Sequence, residues 1–267
     1  MSESIAEALA AVLAAGEPAA IVTLSEAKGS TPREAGVAML VTATGLVGTI
    51  GGGTYEWEGI AAARRLLAKG GDPVTLRMAL GPETGQCCGG HVTLRIKIAD
   101  ETVLAERRIR EDATLRARPE VIIYGAGHVG RALALALHPL PFSTRIVDSR
   151  ADEIAAVEGP TVLRIVDAPS RIAEAAPAGA AHVVLTHSHA LDSLICATVL
   201  ERGDYAYLGL IGSETKRASF VSAFRDLGLP EARIARLVCP IGGTTVRDKR
   251  PSVIAALVAA ELIAVFA

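Results

Sequence analysis

The stretches of this chain able to do chemistry are short and rich in glycine. Gly85-Gln86-Cys87-Cys88-Gly89-Gly90 sets two adjacent cysteines between glycines. Such flexible backbone suits core packing poorly, and a thiolate held there can ligate a soft metal or handle sulfur. The plainer reading is a pair of half-buried thiols acting as small apolar groups. Gly125-Ala126-Gly127-His128-Val129-Gly130 follows an apolar run, Val121–Tyr124, and opens a helical pattern. Its glycines permit a tight turn, close approach of a phosphate and close helix packing, with the phosphate seated on free N–H groups at a helix start. Asp148 closes the next apolar run, where the acid that binds ribose hydroxyls is expected. These features fit a dinucleotide site, and equally a domain of the same fold that holds another phosphate-bearing molecule or none.

Further stretches add polar groups. Thr186-His187-Ser188-His189-Ala190-Leu191-Asp192 follows an apolar run, the position at which open α/β sheets bind ligands. His187, His189 and Asp192 have the residue types of a metal site. No later histidine exists to complete one, which favours polar lining or a helix cap at Ser188 or Asp192. Gly51-Gly52-Gly53, between an apolar run and a helical pattern, offers a second cradle of N–H groups, or a structural turn. Ser30, Thr31 and Arg33 in Gly29-Ser30-Thr31-Pro32-Arg33 supply hydroxyls and a guanidinium for a phosphate or carboxylate, unless the segment is an exposed turn. Lys216 and Arg217, just after Ser213, either point at an anion or lie on a solvated helix face.

These pieces need positioning elements. A helix over 2–15, strands at 19–24, 37–41, 46–50, 74–80 and 91–98, and a helix over 54–69 predict a small α+β domain at residues 1–99 in which three glycine-rich loops converge. Residues 100–119 are dense in Arg, Glu and Asp and read as a charged linker or an exposed helix. From residue 120 short apolar strands (121–124, 145–147, 161–166, 182–186, 207–211, 237–239) alternate with helices. The expected fold for 120–267 is a Rossmann-like, doubly wound parallel sheet.

Composition bounds the function. The chain has 267 residues, enough for two compact domains, and half of them are hydrophobic while only 3% are aromatic. A formal net charge of −2 argues against a general nucleic-acid binder. Four cysteines without a disulfide-like framework suit a reducing compartment, and the start Met1-Ser2-Glu3, with Glu7, makes a poor signal peptide, so a cytoplasmic location is expected. Mean hydropathy is +0.37, yet the longest apolar stretch, Ser252 to Ala267, is short and broken by Glu261, so no membrane span is expected.

Taken together, these stretches resemble the xanthine dehydrogenase accessory protein family, XdhC/CoxI. Further matching runs are Tyr207-Leu208-Gly209-Leu210-Ile211-Gly212-Ser213 and Cys239-Pro240-Ile241-Gly242, all in the family's order. The family's usual continuation is replaced here at residues 243–251. The resemblance implies an accessory protein, not an enzyme, that binds the molybdenum cofactor (molybdopterin). It would protect the cofactor while a cysteine desulfurase supplies sulfur, then deliver it to apo-xanthine dehydrogenase, and a homodimer is expected. The implied contacts are Ser30, Thr31, Arg33, Gly51, Gly52, Gly53, Gln86, Cys87 and Cys88 in the first domain, with Cys87 or Cys88 against molybdenum. In the second they are Gly125, Gly127, His128, Gly130, Asp148, His187, His189, Asp192 and Ser213, in a pocket expected between the domains. The alternative is an NAD(P)-dependent oxidoreductase using the Rossmann domain.

Overall fold

The computed structural model describes residues 4–81, 89–159 and 162–267. The chain divides into two compact units, Met1–Arg116 and Ala117–Ala267.

The first unit is built on a five-stranded antiparallel sheet of order β3-β2-β1-β5-β4: β1 (Ala19–Lys28), β2 (Ala38–Thr42), β3 (Leu46–Gly48), β4 (Val74–Ala79) and β5 (His91–Ile98). Strand alternation assigns the two faces. Ala20 and Val22 of β1, with Val92, Leu94 and Ile96 of β5, pack beneath α2 (Thr54–Lys69), whose buried Tyr55, Gly59, Ala62, Ala63 and Leu66 recur at helical spacing. The helix lies close because a Cβ at Gly59 would sit 3.1 Å from Leu94 Cδ1 and 3.2 Å from Val22 Cγ1. Ala19, Ile21 and Leu40 turn the other way, against α1 (Ile5–Ala14) and α3 (Glu101–Arg116). The segment read from its charges as a charged linker or an exposed helix is largely this third helix. Asp100 Oδ1 accepts the Val103 N–H at 2.8 Å, and Val103 and Leu104 are buried. Two apolar residues amid charge suffice to dock it, too few to stand out as a periodic pattern.

The second unit holds six parallel strands in the order β11-β10-β9-β6-β7-β8: β6 (Glu120–Tyr124), β7 (Ser143–Asp148), β8 (Val162–Val166), β9 (Ala181–Val184), β10 (Tyr207–Leu210) and β11 (Leu237–Val238). One face is covered by α4 (His128–Leu137), the short α5 (Ala151–Ala155) and α10 (Pro251–Phe266). The other is covered by α6 (Pro169–Glu174), α7 (His189–Arg202), α8 (Glu214–Asp226) and α9 (Glu231–Ile234). With both faces covered, β9 and β10 are buried at every position. The chain winds from β6 to one edge and then restarts at β9 toward the other, so the connections reverse between β6 and β9. That is the expected doubly wound sheet.

A histidine that composition gives no reason to notice sits inside this sheet. His182 of β9 is 3% exposed, pairs with Ile122 of β6 and Leu208 of β10, and is hydrogen-bonded through Nδ1 to the Tyr124 hydroxyl at 2.9 Å. The two rings stack at 5.8 Å. Burial, helped by Arg202, pushes the His182 pKa down to about 4. Its unfolded value is about 6.5, so between pH 6.5 and 4 the unfolded chain takes up a proton that the native chain refuses, and folding loses up to about 3 kcal/mol. His182→Gln is therefore expected to flatten the acid limb. In denaturant titrations the wild type should lose about 2 kcal/mol more than the variant between pH 7 and pH 5. An equal loss in both would show that His182 is not the titrating group.

Candidate functional site

Three loops of the first unit meet, as their glycines predict. Residues 29–33 follow β1, Gly51–Gly53 precede α2, and Gly89–Gly90 precede β5. A Cβ at Gly90 would overlap the Ser30 carbonyl and come within 2.9 Å of Thr31 Cγ2. A Cβ at Gly51 would overlap the Tyr55 hydroxyl and approach Arg33 Cγ at 3.0 Å. The 29–33 loop therefore touches both partners through glycine, and Thr31 Oγ1 donates to Arg33 O at 3.1 Å. Ser30 and Arg33 are exposed. Gln86, Cys87 and Cys88 lie outside the described residues; Gly89 N–H, just after them, donates to Leu80 O at 2.6 Å.

The glycine cradle at Gly51–Gly53 is an anion nest that already holds an anion. The three residues have φ of +126°, +78° and +77°, a left-handed run open only to glycine in practice. Glu56 turns back into it: Oε2 accepts from Thr49 Oγ1 at 2.5 Å, Ile50 N–H at 2.8 Å and Gly52 N–H at 3.1 Å. Partial burial raises the Glu56 pKa, but these hydrogen bonds outweigh it and the carboxyl lies below its ordinary value. Glu56 stands three residues after the helix-capping Gly53, the spacing of a capping box. That spacing was the available signal for this residue.

In the second unit the fingerprint residues divide their work as the spacing argument requires. Gly125 has φ +118°, and a Cβ there would overlap the Leu185 carbonyl oxygen and sit 3.1 Å from Thr186 Cα. A Cβ at Gly130 would overlap the Gly125 carbonyl. At Gly127 a Cβ would meet nothing within 4 Å, so the open space lies over the glycine assigned to ligand approach. Gly127 begins α4 with no side-chain cap, whereas Ser188 caps α7 and Ser213 caps α8. His128 is exposed in the first turn of α4.

Asp148 departs from its expected role as a ribose acid. It is 3% exposed; Oδ2 accepts the Ala126 N–H at 2.9 Å and Arg150 Nη2 at 2.7 Å, while Oδ1 accepts Arg150 Nε at 2.9 Å and its N–H at 3.0 Å. Burial alone would raise its pKa, but the Arg150 guanidinium and the two N–H groups bring it down to about 2. The carboxylate therefore ties β7 to the fingerprint turn instead of presenting free oxygens.

Asp192 is tied down likewise. It is 1% exposed; Oδ1 accepts from Thr186 N–H at 3.0 Å and Thr186 Oγ1 at 2.7 Å, and Oδ2 accepts from Lys216 Nζ at 2.8 Å. Lys216 also donates to Ile211 O at 2.9 Å. Lys216 thus faces a carboxylate of this chain, and Asp192 does not join His187 and His189 in a metal set; among the described residues no group of three such ligands forms. His187 and His189 are exposed, and Ser188 Oγ accepts the Leu191 N–H, the helix-cap reading of that run. Ser213 spends its hydroxyl on the Lys216 N–H. The second unit thus gathers Gly125, Gly127, His128, Asp148, the 186–192 loop and Ser213 at the carboxyl ends of β6, β7, β9 and β10. Thr186 and Arg150, which sequence reasoning missed, carry no motif of their own.

Residues 121–262 match the XdhC Rossmann domain, and residues 12–78 match the XdhC and CoxI family. The chain is 30% identical over 254 residues to YqeB of Escherichia coli (strain K12), described as an uncharacterized protein, across 93% of this chain and 43% of that one. It therefore spans less than half the length of that relative. Among solved structures, one described as a xanthine dehydrogenase from Bacillus halodurans shares the fold, with a TM-score of 0.78, 18% identity, and 99% of this chain and 96% of that chain covered.

The two glycines of the fingerprint should respond oppositely to alanine. Gly125→Ala places a Cβ against the Leu185 carbonyl at a left-handed φ and is expected to cost more than about 2 kcal/mol. Gly127→Ala, in open space at an ordinary φ of −68°, should stay within about 1 kcal/mol of wild type. Chemical denaturation of both variants checks the contrast, and equal stabilities would mean that the turn does not pack as described.

Proposed function

From the premise that the chain belongs to the XdhC and CoxI family, we propose that it is an accessory protein of xanthine dehydrogenase that binds the molybdenum cofactor and hands it on, with no turnover of its own. The observation that carries this reading is the start of α4. Gly127 lies under open space, the helix has no side-chain cap, and the turn stands at the carboxyl ends of β6 and β9, where the strand connections reverse. A phosphate group such as the one molybdopterin carries fits that seat, held by backbone N–H groups and the positive end of the helix. Exposed His128, His187 and His189 add polar contacts around it.

The glycine loops of the first unit supply the rest of the reading. Ser30, Thr31 and Arg33 offer donors for an anionic group. Cys87 and Cys88 offer thiolates, soft ligands suited to molybdenum. During sulfuration by a cysteine desulfurase the chain would hold the cofactor away from water and oxidants, and apo-xanthine dehydrogenase would then receive it.

An NAD(P)-dependent oxidoreductase would use the same seat at Gly127, so a nucleotide remains the competing ligand. The geometry favours it less, because both Asp148 oxygens are engaged by Arg150 and the fingerprint turn and are not free for ribose hydroxyls.

The test is retention and transfer. Purified protein is incubated with molybdenum cofactor, free ligand is removed, and bound pterin and molybdenum are quantified before apo-xanthine dehydrogenase is added. Retained cofactor that activates the dehydrogenase is the expected result. Cys87→Ala with Cys88→Ala should lower retention with little change in melting temperature; unchanged retention would remove the cysteines from the site. Failure to retain pterin, together with a melting-temperature rise in NAD or NADP, would replace the proposal with the oxidoreductase.

A further inference from the structure

The face of the first unit's sheet that lies opposite α2 has a polar cavity of about 380 Å³ for which the glycine loops have no use. We propose that this cavity is a binding site for a phosphorylated small molecule, held by the guanidinium groups of Arg95, Arg107 and Arg110. The proposal is independent of the cofactor reading.

Alternation along the strands builds the cavity. In β5, Leu94 and Ile96 point under α2, which sends Arg95 and Lys97 to the opposite face; in β1, Val22 points under α2 and Ile21 and Thr23 do not. Helix α3 closes the other wall. Its Val103, Arg107 and Arg110 stand at i, i+4 and i+7, on one side of the helix. Thr23 adds a hydroxyl, and Ile21 with Val103 forms an apolar floor. The volume falls in the range of small-molecule sites, about 300–1,000 Å³.

The charges of the lining are not balanced from within. Four cations face one carboxylate, Glu106, and Glu106 is held by Lys97 at 2.6 Å. Arg107 is 12% exposed, its nearest counter-charge is Glu111 at 3.9 Å, and its Nε is buried with no hydrogen-bond partner. Glu111 is committed elsewhere: its oxygens accept the Ser4 hydroxyl at 2.6 Å and the Ala6 N–H at 3.1 Å at the start of α1. A guanidinium taken out of water wants a bidentate anionic partner, and phosphate matches its fork geometry. Arg95 and Arg110 are exposed at the mouth, positioned to take a second phosphate or further oxygens of the first. Burial draws the Arg107 pKa below its ordinary value, in keeping with a cation short of counter-charge.

The experiment is calorimetric titration of pyrophosphate into the full chain at pH 7. Wild type is expected to bind with a stoichiometry that includes this site. Arg95→Ser with Arg110→Ser, both exposed and outside the core, should weaken that site about tenfold or more. Arg65→Ser with Lys69→Ser on the exposed side of α2 removes the same charge and should leave it unchanged, while Gly127→Val closes the second unit's phosphate seat and should remove only the binding that belongs there. No binding by wild type would overturn the proposal. So would equal weakening by the α2 pair, which would mark a general charge effect, or loss only in Gly127→Val, which would move the anion to the fingerprint.

Discussion

The second unit is organised around a gap into which no side chain fits. The Gly125 turn lies so close to the Leu185 carbonyl that a single methyl group would force them apart. This approach brings the ends of β6 and β9 together where the chain reverses direction across the sheet, and α4 starts from the same turn. A crevice floored by backbone presents N–H and carbonyl groups at fixed positions, and side chains can be added only at its rim. The exposed histidines at 128, 187 and 189 are such rim residues.

Each within its own unit, three carboxylates follow a consistent rule: they are answered by backbone N–H groups and, where burial is deepest, by a cation. Asp148 holds the fingerprint turn with Arg150, Asp192 holds the Thr186 turn with Lys216, and Glu56 holds the Gly51–Gly53 loop. Because an unpaired buried charge is costly, these contacts discourage the loops from opening. They also remove three acids from any role that demands a free carboxylate.

Much of the fold was legible because its signals are local. Short apolar strands separated by helical spacing specified the parallel sheet, and the spacing of Gly125, Gly127 and Gly130 specified which glycine packs, which turns and which stays open. The convergence of the 29–33, 51–53 and 89–90 loops was also readable, since clustered glycines, lacking a Cβ, let loops approach closely. What was not legible depended on partners and packing that no motif announces. Asp148 has the position of a ribose acid, and only the neighbouring Arg150 and the turn 22 residues earlier redirect it. Lys216 looked like a solvated or anion-facing cation until α8 packed it against Asp192. The charges of α3 left a linker and an exposed helix both open, because docking it takes only Val103 and Leu104. His182 carried no signal, since a histidine among apolar strand residues gives no hint that a tyrosine on the adjacent strand will answer it.

The carboxylate in the Gly51–Gly53 nest changes what recognition at that loop means. The left-handed glycines are ordered around Glu56 whether or not a guest is present, so the entropy of shaping the loop is spent during folding. An anion from outside would have to displace a tethered competitor whose effective concentration is high and constant. Affinity there would be a difference between two anions, which would favour guests of higher charge over single carboxylates. A loop of this kind is closed by a residue of its own helix, like a latch with its own return spring.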